Sequence, residues 1–96
     1  MATLTDDKTR QALLNRLRRA EGQLRGLQRM IEEGQSCLDI AGQLAAVRKA
    51  LDSTHAKLTV AYMEQELGGR MPATDRSRQQ FSEVLSDVQT LLGKLR

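Results

Sequence analysis

The stretch Leu13-Leu14-Asn15-Arg16-Leu17-Arg18-Arg19-Ala20-Glu21-Gly22-Gln23-Leu24-Arg25-Gly26-Leu27-Gln28-Arg29-Met30-Ile31 decides the fold class. Its apolar positions Leu13, Leu17, Ala20, Leu24, Leu27 and Ile31 follow a 4, 3, 4, 3, 4 spacing. That is the seam of a helix that packs against other helices. The spacing predicts a first helix from about Asp6 to Glu33. Thr5 is the expected N-cap, Asp6 and Asp7 favour the positive end of the dipole, and Gly34 is the expected stop.

Working outward, Ser36 reads as the cap of a second helix, with Asp39 three residues on in a capping-box-like arrangement. This helix is expected to reach about Leu67 and to end at Gly68-Gly69. The stretch Gly68 to Ala73 holds the single Pro of the chain and reads as a loop. A third helix is expected from Thr74 or Ser77 to the C-terminus, with Phe81, Val84, Leu85, Val88, Leu91, Leu92 and Leu95 as its apolar stripe. Composition agrees with helix-on-helix packing: one Phe, one Tyr and no Trp, with Leu as the main bulky residue.

The expected fold is therefore all-α, a three-helix protomer spanning 1–96 as a single domain. Two helices near 45 Å and a shorter one cannot enclose a core alone. A dimer at least is expected, with helices of both copies in one four-helix bundle.

Charge points to an anionic partner. The 96 residues carry a net charge of +3, and six Arg fall between Arg10 and Arg29 against one acid, Glu21. Arg16 and Arg19 flank the Leu13/Leu17 seam; Arg48 and Lys49 sit midway along the second helix. These four are the candidates for contact with a nucleic acid. The competing reading of the same stripe is a set of solvated arginines, on a helical assembly module that does not bind DNA. The lone Cys37 cannot form an internal disulfide, no signal peptide is visible, and no apolar run approaches the ~20 residues that span a bilayer. A cytoplasmic protein with no membrane partner is expected. There is no catalytic pair and no phosphate loop, so no enzyme, cofactor or resident metal is expected.

On a helical wheel Cys37, His55, Tyr62 and Glu66 share one face of the second helix to within about 20°. Cys37 and Tyr62 lie ~37 Å apart along one straight helix, too far to form a site. An antiparallel pair with its two-fold near Leu51 sets Cys37 of one copy opposite Tyr62 and Glu66 of the other, with His55 nearer the axis. Cys37 is also the first residue after the cap, where the helix dipole favours a negative sulfur and Asp39 opposes it. The alternative is that Cys37 is a small apolar filler.

The run Leu14 to Met30, with Cys37-Leu38-Asp39-Ile40 and Gln43-Leu44-Ala45-Ala46-Val47-Arg48-Lys49-Ala50-Leu51, resembles the CsoR/RcnR/FrmR repressors. The resemblance covers nearly the whole chain. It implies a bacterial cytoplasmic repressor, an antiparallel dimer associating into a tetramer, which binds operator DNA through basic surfaces of the first two helices. Arg16 matches a basic position of that family. An inducer bound between subunits then releases the DNA. The resemblance places the inducer site at Cys37 of one subunit and Tyr62 and Glu66 of its partner. Copper sensors carry His and Cys at the last two positions; nickel and cobalt sensors carry two His; formaldehyde sensors carry His and often Glu, with an N-terminal Pro where this chain has Ala2. Cu(I) is soft, whereas Tyr62 and Glu66 offer oxygen. The Cys/Glu pair comes nearest the formaldehyde branch. The first expectation is thus a thiol-reactive inducer such as formaldehyde; the alternative is a metal inducer with an altered ligand set.

Overall fold

The computed structural model describes residues 2–68 and 75–94. They form three α-helices: α1 Asp7–Glu32, α2 Cys37–Gly68 and α3 Asp75–Lys94. The all-α expectation holds, and no strand occurs among the described residues. The loop expected beyond Gly68, with Thr74 and Leu95, lies outside the described residues.

The start of α1 differs from expectation by one residue. Asp6, not Thr5, is the cap: its carboxylate accepts from the Thr9 N–H at 3.0 Å and from the Thr9 hydroxyl at 2.6 Å. These bonds hold the Asp6 carboxyl below its ordinary value of 3.8, the Thr9 hydroxyl contributing most. Thr5 is spent elsewhere, on the side chain of Gln65.

At the other end α1 stops in a Schellman motif. Gly34 takes φ 71°, its N–H donates to Ile31 O at 3.1 Å, and the Gln35 N–H donates to Met30 O at 3.0 Å. Only a residue without Cβ enters that region freely. The chain then reverses within Glu33–Ser36. Ser36 Oγ accepts from the Asp39 N–H at 3.1 Å, which forms the forward half of the expected box and starts α2 at Cys37.

Helix α2 is the spine, and α1 and α3 each pack on it. From α1 the stripe Leu13, Ala20 and Leu27 is buried; from the middle of α2, Val47 and Thr54. Thr54 is polar but satisfied, its hydroxyl donating to Ala50 O at 2.9 Å. Further along, Ala56 and Val60 are buried. There α3 runs antiparallel to α2: the Phe81 ring lies 3.6 Å from where a Cβ on Gly68 would be, and Gln89 borders a depression together with Val60. Leu85 is the buried anchor of α3.

The protomer is a rod of 58 × 25 × 21 Å with a radius of gyration of 17.4 Å. A compact chain of this length would have about 12–13 Å. Every described side chain keeps at least 2% of its surface exposed. The other half of the expected seam is open. Leu14, Leu17, Leu24 and Ile31 of α1, with Leu44, Leu51, Leu58 and Tyr62 of α2, are 40–63% exposed. So large a continuous apolar face is unusual on a lone soluble protomer. On α3, Val84 and Leu91 point away from the core at 58% and 63% exposure.

Candidate functional site

The α1–α2 hairpin has two dissimilar faces, and the wheel explains both. On α1, Arg16, Arg19 and Gln23 lie on one flank of the buried Leu13/Ala20/Leu27 stripe; Leu14, Leu17 and Leu24 lie on the other. On α2, Ser53 and Lys49 share the flank next to the first group, and Leu44, Leu51 and Leu58 the flank next to the second. One hydrogen bond fixes this pairing: the half-buried Arg16 guanidinium donates to Ser53 Oγ at 3.4 Å. Arg16 is thereby laid across the helix pair rather than left free. Arg19 and Lys49 are exposed on the same side. Arg48 is exposed as well, but lies about 100° round α2 from Lys49. It belongs to the side that carries Leu44 and Leu51. Arg16, Arg19 and Lys49 thus form one basic patch on a protomer, and Arg48 stands apart from it.

The opposite face holds an open groove of about 700 Å3. Leu13, Leu14 and Leu17 form one wall, and Leu51 and Leu58 the other. Arg10 and the exposed His55 are the ionisable groups on its lining. His55 faces this groove near the middle of α2, not the end that carries Cys37. Its backbone carbonyl accepts from the Thr59 hydroxyl at 3.0 Å.

Cys37 is a free, exposed thiol at the first position of α2. Tyr62 is half-exposed and Glu66 is partly covered, both on the last turns of the same helix. All three lie along the open apolar face, at opposite ends of it. One protomer does not bring them together: no cluster of three metal-ligating side chains exists among the described residues.

Sequence reasoning passed over one residue, Gln65. Its side-chain amide grips the segment before α1. Nε2 donates to Thr3 O at 2.7 Å, while Oε1 accepts from the Thr5 N–H at 3.0 Å and from the Thr5 hydroxyl at 3.1 Å. No sequence signal marks it, because a glutamine beside an apolar face is ordinary on a helix.

Nearly all of the three helices falls within a family model. Residues 9–94 match the model described as metal-sensitive transcriptional repressor. The chain belongs to this family.

The metal-sensitive repressors include several curated relatives. The chain is 33% identical over 78 residues to the copper-sensing transcriptional repressor CsoR of Bacillus subtilis, covering 81% of this chain and 76% of that protein. It is 36% identical over 98 residues to the copper-sensing transcriptional repressor CsoR of Mycobacterium ulcerans, covering 94% and 82%. Over 43 residues it is 54% identical to the copper-sensing transcriptional repressor RicR of Mycobacterium tuberculosis, which is 45% of each chain. No solved structure matches. Membership in this family makes the protein a regulator of transcription and not an enzyme. The family description and the relatives' names speak of metal, so the alternative drawn from the sequence, a metal inducer, fits better than formaldehyde. No helix among the described residues is long and apolar enough to cross a membrane.

Proposed function

We propose that this repressor binds double-stranded operator DNA and is released by a metal ion held between two copies of the chain. The whole chain, 1–96, acts as one DNA-binding and sensor domain. A single observation carries the reading. Cys37, Tyr62 and Glu66 lie along one open apolar face of α2, at opposite ends. A second copy laid antiparallel on that face covers Leu44, Leu51 and Leu58 and sets Cys37 opposite the partner's Tyr62 and Glu66. The exposed Val84 and Leu91 on α3 supply a further strip for a dimer of dimers.

The donor set tests the fit. One thiolate with one carboxylate and one phenol oxygen suits a borderline divalent ion such as Zn(II), Co(II) or Ni(II). It lacks the second soft donor that Cu(I) prefers, so the copper named for the relatives does not transfer with the fold. DNA is met by the Arg16, Arg19 and Lys49 patch, with Arg48 contributing from its own flank. The pairing of α1 to α2 supports this, because Arg16 bridges the two helices on that face.

The test is DNA release on the gene's own upstream region, with Zn(II), Co(II), Ni(II), Cu(I) and formaldehyde in parallel arms. Release by a divalent metal that disappears in Cys37→Ala, with DNA binding and oligomer intact, is the expected result. Release by formaldehyde alone would restore the thiol-reactive expectation. Full inducibility of Cys37→Ala would reduce Cys37 to an apolar filler, with His55 the next candidate. Failure of the wild type to shift the DNA would favour the assembly module.

A further inference from the structure

The amide of Gln65 treats the segment before α1 as a neighbouring strand would, donating to one carbonyl and accepting from the N–H two residues on. Both ends of the amide are engaged, across 60 residues of sequence or more. Immediately after Thr5, Asp6 caps α1 through Thr9. The short path from Gln65 to the first turn of α1 is therefore pinned at both ends. Leu4, between the two pinned threonines, is partly covered and borders the apolar groove.

Gln65 lies within the turn of α2 that carries Tyr62 and Glu66. Thr3 and Thr5 precede residue 9, where the family match begins, so the latch lies partly outside what the family model describes. An α-helix moves as a nearly rigid cylinder, so its first turn cannot shift without carrying Arg16 and Arg19, two to four turns on.

We propose that Gln65 is a positioning residue: it latches the segment Thr3–Thr5 to the Tyr62–Glu66 turn and so couples that turn to the start of α1 and its basic face. The inference rests on the metal-responsive reading above. When Tyr62 and Glu66 are drawn toward the partner's Cys37 on metal binding, Gln65 moves with them, and the latch passes that displacement to α1. Without the latch the segment keeps the partly covered Leu4 but loses its hydrogen bonds to α2, and the displacement stops at α2.

Amide hydrogen exchange and DNA release, measured together on the full chain, test this. In Gln65→Ala the Thr5 amide exchanges about five- to tenfold faster, the size set by losing exposed hydrogen bonds. DNA affinity without metal stays within about twofold, whereas the loss of affinity on adding Zn(II), Co(II) or Ni(II) shrinks by about tenfold. Gln65→Glu keeps the acceptor for Thr5 and loses the donor to Thr3, so it falls between. A purely structural role would lower the melting temperature and the metal-free DNA affinity together and leave the metal-induced ratio unchanged. Unchanged Thr5 exchange in Gln65→Ala would overturn the latch. Faster exchange with an unchanged metal response would overturn the coupling. If metal does not release the wild type from DNA, the functional reading fails and the coupling falls with it, while the exchange rate still reports the latch separately.

Discussion

One heptad seam on α1 ends in two different environments. Leu13, Ala20 and Leu27 are closed against α2, while Leu17, Leu24 and Ile31, interleaved with them, are open. The residues are of the same kind and the spacing is continuous, so nothing local distinguishes them. The difference is geometric. One neighbouring helix covers only one side of an apolar stripe, and the second side needs another partner. On α2 the same division separates Val47 and Thr54 from Leu44, Leu51 and Leu58. By itself the chain closes only one side of each seam, which is why it is a rod rather than a ball.

The largest effect should come from charging the open half. Leu17→Glu with Leu51→Glu is expected to convert the assembly to monomers in sedimentation equilibrium and to abolish DNA binding at micromolar protein. An unchanged mass would mean that the open face is solvated in the working protein, and the division between closed and open would lose its meaning.

Truncation sharpens the contrast next. Leu27→Ala should cost about 2–4 kcal/mol in urea unfolding, because it leaves a cavity between α1 and α2. If a second copy covers Leu24, Leu24→Ala should cost most at high protein concentration and progressively less on dilution, as mass action requires. Identical concentration dependence for the two variants would erase the distinction.

The two polar flanks can be compared in the same way. Arg16→Ala should weaken DNA binding across sequences and reduce the salt slope by about 1 for each phosphate left without its cation. Arg48→Ala, on the flank shared with Leu44 and Leu51, should change the salt slope less and the oligomer more. Equal salt slopes for the two variants would put Arg48 back on the DNA face beside Arg16.

The smallest effect concerns Asp6, at the start of the seam. Its carboxyl is held below its ordinary 3.8 by Thr9, so the ionised form stabilises the folded first turn. That contribution is fully present above 3.8 and is lost as pH falls through the lowered folded value. Wild type and Asp6→Ala should therefore differ in first-turn amide exchange at neutral pH and converge well below pH 3.8. A difference that persists to the lowest pH would assign the cap to the Thr9 hydroxyl pairing rather than to the charge.

The three helices, the stop of α1 at Gly34 and the start of α2 after Ser36 were legible in the order of residues. These are local properties: 3.6-residue periodicity, a glycine where φ turns positive at Gly34, and Ser36 ahead of Cys37. The shared direction of Cys37, Tyr62 and Glu66 on α2 was legible too, because a regular helix leaves no freedom in that. The choice of Asp6 over Thr5 as cap came only with the packed chain, since Gln65, sixty residues away, takes the Thr5 hydroxyl and N–H. So did the split of the seam, which depends on how α2 crosses α1, and the docking of Arg16 on Ser53, which puts Lys49 rather than Arg48 on the flank of Arg16. Hydrogen bonds between distant residues leave no period in the sequence, and a glutamine that latches reads the same as one that is merely solvated.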